Sequence, residues 1–229
     1  MHLHLPKPLH GWREFFGEVG IIVLGVLIAL GFGQLAQSLH DRASASEARD
    51  EVRAEVRENL WWVERREAHE PCVEKTLSEL GDVLTRARNG QPAPLVVGVD
   101  LPSHSKITSL RWDANAQAGR ASLFSGDEQR LLANVYYSTE EFWSSQSDEE
   151  AIWAKMGFIV GLRRFTALDV HDLAILLSEA RYRDFRIMLA VERAHQWAAK
   201  LHLTAANSNS VENINVSAKP VCQPATQGS

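Results

Sequence analysis

The most apolar part of the chain lies close to its N-terminus. No charged residue occurs between positions 19 and 37, and this block is apolar on all sides of a helix. At 1.5 Å per residue, a helix of that length spans roughly 28 Å, the thickness of a bilayer's hydrocarbon core. Trp12, Phe15 and Phe16 precede the block, where aromatic rings favour the membrane interface. The pattern predicts a transmembrane helix over residues 15–39, after a short N-terminal tail over residues 1–14.

A cleaved secretion signal is the alternative reading of the same block. The sequence Ala43-Ser44-Ala45 has the small-x-small form of a cleavage site. However, the apolar block is longer than the usual core of about 7–15 residues in a signal peptide. Asp41 and Arg42 also lie between the block and the candidate site. These features favour a retained anchor, with cleavage left as the open alternative.

Two features of the predicted membrane helix suggest contact with a second helix. Gly25, Ala29 and Gly33 follow one another at i,i+4 spacing, so three small residues share one helix face. Such a face allows another helix backbone to approach closely, and we interpret it as a helix–helix association surface. Glu18 lies at the start of the helix, where the helix dipole favours a solvated carboxylate. A polar contact between Glu18 and a partner helix is the alternative.

Helical periodicity continues through most of the remaining chain. Apolar residues recur at steps of three and four, which predicts a helical domain with a stalk over residues 40–205. Pro71 is expected in the first turn of a new helix, which Asn89-Gly90 would end. Residues 206–229 are polar and low in aromatic residues, which is typical of an extended or disordered C-terminal tail.

Polar residues mark three further helix starts. Ser125 with Glu128, and Ser147 with Glu150, both have the Ser-x-x-Glu form of a capping box. Asp169 is the expected N-cap of a long C-terminal helix. The sequence therefore predicts an all-α fold: an N-terminal transmembrane helix followed by a bundle of four or five helices.

Charge and cysteine content narrow the possible partners. The net charge is −5, and the arginines of the stalk alternate with glutamates, so a nucleic-acid partner is not expected. The only cysteines, Cys72 and Cys222, are too far apart in sequence for a zinc or redox motif. An even count, with Cys222 in a polar tail, predicts a disulfide and hence an oxidising compartment. Two unrelated thiols are the alternative.

Candidate chemistry is sparse. Among the nine histidines, His2, His4 and His10 lie close together near the N-terminus, but spacing alone does not fix a coordination geometry, so incidental histidines are favoured over a metal site. The Glu192-x-x-His195 pair lacks the second such pair that a di-iron bundle needs. Phosphate-binding loops, nucleophile elbows and His-Glu-x-x-His motifs are absent from the sequence, so neither enzyme activity nor a cofactor is predicted. The consecutive Trp61 and Trp62 point to different sides of a helix, which makes them candidates for a partner or membrane contact.

The start of the membrane segment carries a family resemblance. Gly17-Glu18-Val19, followed at residue 25 by Gly-Val-Leu-Ile-Ala-Leu, resembles the signature of a family of uncharacterised bacterial single-pass membrane proteins. The resemblance covers roughly residues 11–40. It implies an anchored helical protein of the bacterial inner (cell) membrane, and it brings no catalytic residues.

Two patterns in the sequence disagree about the side of the membrane on which the domain lies. More basic residues follow the membrane helix than precede it, which favours a cytoplasmic domain. Large domains cross membranes largely regardless of charge, and the cysteine pair favours an oxidising compartment. We therefore expect an extracytoplasmic, periplasmic domain. The basic residues counted are Lys7 and Arg13 before the helix, and Arg42, Arg49, Arg53 and Arg57 after it.

Two functions from different classes fit these features. The favoured one is a membrane-anchored interaction or assembly protein, with a protein partner or a second copy bound through the transmembrane helix. The alternative is a membrane-anchored sensory bundle with a small-molecule site between its helices.

Overall fold

The structure, a computed structural model, describes residues 11–99, 105–207 and 225–226. Its described part is all-α and contains four α-helices, the last of them long, as the sequence predicts. The chain divides into two compact units, with the boundary between Ala48 and Arg49. The helices are α1 (Trp12–Arg88), α2 (Leu110–Gln117), α3 (Gly126–Met156) and α4 (Ala167–Lys200), with short 3₁₀ turns at Arg120–Leu123 and Gly157–Ile159.

The first unit contains the apolar segment of α1. Its most apolar 18-residue window has a mean hydropathy of 2.4, and none of that window is buried. By length and composition, α1 is the one helix in the described residues that could cross a membrane. The apolar helix expected near the N-terminus is therefore present and exposed. The predicted limits of the segments, at residues 14, 39 and 205, stay predictions.

The second unit is held together by three helices. The part of α1 after Arg49 packs with α3 and α4, and each contributes a face of buried apolar residues. The larger cluster includes Val73, Leu77, Leu80, Trp153, Met156, Leu173 and Leu177. A smaller one contains Val63, Phe142, Ile187, Ala190 and Val191.

The helix start expected at Pro71 is wrong, because α1 continues through this residue without ending. Proline inside a helix removes one backbone hydrogen bond and costs about 3 kcal/mol. The side chains of Val63, Val73 and Leu77, on both sides of Pro71, are buried in the domain core. Their burial offsets the cost and keeps both halves in one helix.

The first predicted capping box begins a helix, and the second does not. Ser125 is the N-cap of α3, and its hydroxyl accepts the Glu128 N–H at 3.2 Å. Ser147 lies inside α3, where its hydroxyl donates to the carbonyl of Trp143 at 3.2 Å. The helix start predicted at Ser147 is wrong because α3 keeps one continuous buried face on both sides of it.

The long C-terminal helix starts three residues earlier than predicted. Thr166, and not Asp169, is the N-cap of α4. Asp169 is the third helical residue, and its carboxylate accepts the Thr166 N–H at 2.7 Å. This reciprocal pair satisfies two backbone donors at the helix start. The accepted hydrogen bonds also lower the pKa of Asp169.

The described end of the C-terminal tail contacts α1 and the loop that follows it. Thr226 forms an isolated antiparallel bridge with Val96, and the Val97 N–H donates to the Ala225 carbonyl at 2.8 Å. The Glu79 carboxylate of α1 accepts the N–H of Ala225 at 2.7 Å. The chain near its C-terminus therefore lies beside the last turns of α1.

Candidate functional site

An aromatic groove lies between α2, α3 and the segment that leads into α2. Its volume is about 420 Å³. Trp112 of α2 stacks on Tyr136 of α3, with ring centroids 5.5 Å apart and an interplanar angle of 27°. Tyr137 and Trp143 are 67% and 38% exposed, so aromatic faces remain open to a ligand. Asp113 and Glu140 also line the groove.

A buried carboxylate fixes the inner wall of this groove. Glu55 of α1 accepts the N–H groups of Arg111 at 2.9 Å and Trp112 at 3.1 Å, both in the first turn of α2. It also accepts the hydroxyl of Tyr136 at 2.7 Å. The carboxylate thus caps α2 from another helix, where the dipole favours negative charge. Burial, and then the bond to Glu55, raise the pKa of Tyr136, which keeps its hydroxyl protonated.

The segment before α2 is held by a second residue of α1. The side-chain amide of Asn59 donates to the Thr108 carbonyl at 2.8 Å. The Thr108 N–H donates back to the Asn59 oxygen at 3.2 Å. These two hydrogen bonds fix the backbone beside Ile107, which lines the groove. The groove is therefore organised by hydrogen bonds between α1 and the segments that line it.

A second polar feature, the Arg66 cluster, lies inside the bundle. It consists of Arg66, Glu70, Glu149 and Asp184, and the Arg66 side chain is 0% exposed. The guanidinium donates to Glu70 at 2.7 Å, to Asp184 at 2.8 Å and to Glu149 at 3.1 Å. Three carboxylates thus share one cation in a largely dry region, which is an excess of negative charge when all are ionised.

The ionisation of the Arg66 cluster follows from burial and from this excess. Burial raises the pKa of Glu149 to about 7, against the opposing attraction of Arg66. Burial likewise raises the pKa of Glu70. Burial alone would lower the pKa of Arg66, but the carboxylates of Glu149, Glu70 and Asp184 raise it above its ordinary value. A pKa of about 7 means that Glu149 titrates near neutral pH.

Trp61 and Trp62 contact each other and an arginine. Their rings meet edge to face, with centroids 4.7 Å apart. The Arg65 guanidinium lies 5.7 Å from the centroid of Trp61 and 5.9 Å from that of Trp62. Both tryptophans are half-buried, and burial lowers the pKa of Arg65. Their proposed role in partner contact stays a prediction.

The residues that we predict to mediate association of the membrane helix are exposed in the structure. Gly25, Ala29 and Gly33 are exposed, and a Cβ atom added to Gly25 or Gly33 would have no heavy atom within 4 Å. Glu18 is exposed as well. Helix–helix association through this face stays a prediction.

The cysteine and histidine predictions fall partly on described residues. Cys72 is buried in α1, whereas Cys222 lies outside the described residues, so the predicted disulfide stays a prediction. His195 of the Glu192-x-x-His195 pair lies 3.2 Å from Glu67. Across residues 11–99 and 105–207, no three His, Cys, Asp or Glu side chains are placed to hold a metal ion.

Sequence reasoning missed both the groove and the Arg66 cluster. A signal for the cluster was present, because Arg66 lies three residues after Val63 and seven before Val73, on the buried face of α1. A signal for the groove was the aromatic and acidic content of residues 136–143, with Tyr136, Tyr137 and Glu140 close together. Neither signal reveals which distant residues complete the arrangement.

The apolar segment of α1, the aromatic groove and the Arg66 cluster are the features from which a function can be argued. Comparison of the chain with models of protein families, with curated proteins and with solved structures finds no match.

Proposed function

We propose that this chain is a membrane-anchored helical interaction or assembly protein, spanning a bacterial inner membrane once through residues 15–39. The observation that carries the proposal is the exposed apolar segment of α1, of which no part of the 18-residue window is buried. An apolar surface of this length is unstable in water and needs a bilayer or another protein around it. The resemblance of residues 11–40 to bacterial single-pass membrane proteins supports the same reading.

The face formed by Gly25, Ala29 and Gly33 is the proposed association surface within the membrane. Helices in lipid gain no hydrophobic energy from pairing, so close packing of backbones has to stabilise the contact. Within the described part of the chain, a Cβ atom added at Gly25 or Gly33 would meet no atom of another segment within 4 Å, which supports access by a second helix. The partner is a second copy of this chain or another membrane protein.

Replacing Gly25 and Ala29 by leucine is expected to weaken association in lipid vesicles about tenfold, because the larger side chains separate the backbones. Energy transfer between labelled full-length chains, or co-purification of the partner, measures the change. Leu27→Ile is the matched control, because Leu27 lies on a different side of α1. Association that is as strong in the leucine variants as in the control would contradict the proposed face.

The domain after the membrane helix is proposed to lie in the periplasm, with a disulfide between Cys72 and Cys222. Cys72 is seven residues before Glu79 in α1, a distance of about 10 Å. Cys222 is three residues before Ala225, whose N–H donates to Glu79. The described end of the tail therefore meets the same helix that contains Cys72, which supports the proposed pairing.

Labelling intact cells with a membrane-impermeant thiol reagent tests location and disulfide together. The full-length protein is expected to react only after reduction, since an extracytoplasmic disulfide hides both thiols. The Cys72→Ser variant leaves one unpaired thiol and is expected to react without reduction. Labelling that requires opened cells but no reductant would place the domain in the cytoplasm and contradict the disulfide.

A sensory or small-ligand-binding bundle is the second candidate function. The groove between Trp112, Tyr136 and Trp143 favours it, because its walls are fixed by Glu55 and Asn59 and its aromatic faces are open. Binding sites for small molecules combine these two properties.

A further inference from the structure

The aromatic groove is negatively charged. Among the described residues, its lining contains the two carboxylates of Asp113 and Glu140 and no lysine or arginine. The nearest arginine in sequence, Arg111, directs its guanidinium to Glu58 at 3.1 Å. The groove therefore attracts cations and repels anions, and half of its other described lining residues are aromatic.

The two carboxylates come from different helices. Asp113 is in the first turn of α2, where its carboxylate accepts the hydroxyl of Ser109 at 2.8 Å. Glu140 is an exposed residue of α3, three positions after Tyr137 and three before Trp143. Residues three apart are neighbours on a helix surface, so this carboxylate lies between two aromatic side chains. A bound cation can thus meet charge and aromatic surface together.

We propose that this groove binds a small organic cation, with an alkylated ammonium group against the faces of Trp112, Tyr137 and Trp143. The electron-rich face of an aromatic ring attracts an ammonium group, and tryptophan does so most strongly. Asp113 and Glu140 supply the opposite charge. The volume of about 420 Å³ is in the range of small-molecule sites. The proposal rests on the second candidate function and adds the class of ligand.

An alkylated ammonium fits better than a metal ion or a bare amine. The groove provides aromatic surface and only two carboxylates, whereas hard metal ions need several oxygen ligands. Methyl groups on the nitrogen bury apolar area against the rings and reduce the hydration that the cation has to lose. Tyr136 provides a fixed inner wall, because its hydroxyl is bound by Glu55 and its ring is stacked on Trp112.

Titration of the full-length protein in a maltoside detergent tests the proposal. The probe is choline, and the control ligand is 3,3-dimethylbutan-1-ol, the uncharged carbon analogue of the same shape. Calorimetry or tryptophan fluorescence is expected to show choline binding at least tenfold tighter than the alcohol. Tyr137→Leu and Glu140→Gln are each expected to weaken choline binding about fivefold or more, because each removes one attraction to the cation.

The variants are chosen so that folding is preserved. Tyr137 and Glu140 are both exposed. Phe185→Leu is the matched control, an exposed aromatic residue of α4 that does not line the groove, and it is expected to bind choline like the original protein. Gly25→Leu is also expected to leave choline binding unchanged. The proposed helix association and the proposed cation binding can therefore be disproved independently of each other.

Three results would overturn the proposal. Equal binding of choline and its uncharged analogue would show an apolar groove without selection for charge. Choline binding that both groove variants leave unchanged would place the ligand elsewhere. A lysine-rich peptide that binds through Tyr137 and Glu140 much more tightly than choline would assign the groove to a protein partner.

Discussion

Replacing Arg66 by methionine is expected to lower the free energy of unfolding by about 3–5 kcal/mol. Arg66 is the cation that the carboxylates of Glu70, Glu149 and Asp184 share, and its side chain is fully buried. Methionine keeps much of the volume but leaves negative charges in a dry region without a counter-charge. The loss is expected to be larger at about pH 8 than at about pH 5, where protonation relieves part of the repulsion.

Unfolding of the full-length protein in detergent micelles, followed by tryptophan fluorescence, measures this loss, since Trp153 is buried in the domain core. Arg130→Met is the matched control. The Arg130 side chain is 65% exposed, and its ion pair with Asp127, at 3.1 Å, joins two surface groups. Its removal is expected to cost at most about 1 kcal/mol. A similar small loss for Arg66→Met would show that the buried cluster does not depend on its cation.

Ionisation of Glu149 is expected to lower the free energy of unfolding of the original protein by about 3 kcal/mol between about pH 5 and about pH 8. Replacing Glu149 by glutamine is expected to abolish this part of the pH dependence. The folded protein holds the pKa of Glu149 at about 7, above the ordinary value of 4.5. Between these two pH values the unfolded chain loses this proton first, so stability falls as pH rises and levels off above about pH 7. Glu70, whose pKa is also raised by burial, contributes in the same direction.

Glutamine is nearly isosteric with the protonated carboxyl and can accept the same hydrogen bond from Arg66. The variant is therefore expected to fold normally and to exceed the original protein in stability at the alkaline end of the range. Urea or thermal unfolding at several pH values measures the slope. Glu179→Gln, at an exposed position of α4, is expected to leave the slope unchanged. An equal slope in Glu149→Gln and the original protein would disprove titration of Glu149 in this range.

One helix links the features on which the proposals rest. The sequence of α1 contains the exposed apolar segment, then Glu55 behind the aromatic groove, then Arg66 inside the bundle. Binding at the groove and protonation at Glu149 therefore both act on residues packed against α1. Choline titration at two pH values would show whether the two equilibria are coupled, since linked sites change each other's affinity equally.

Local patterns in the sequence were enough to predict the helices and the apolar segment. Hydrophobicity adds along a chain, so an uncharged block of this length can be recognised without knowing the fold. Steps of three and four between apolar residues reflect the geometry of a single helix, which is why the all-α class is predictable. The cap at Ser125 is equally local, because its hydroxyl binds a backbone group three residues away.

Tertiary packing decided where helices end and which polar groups meet. α1 passes Pro71, and α3 passes Ser147, because core residues on both sides of each outweigh a local signal to stop. Arg66 contacts Glu149 and Asp184, which lie 83 and 118 positions away in sequence. No local pattern encodes such distances. The raised pKa of Glu149, and the groove that Glu55 supports from another helix, exist only once the bundle has excluded water from between its helices.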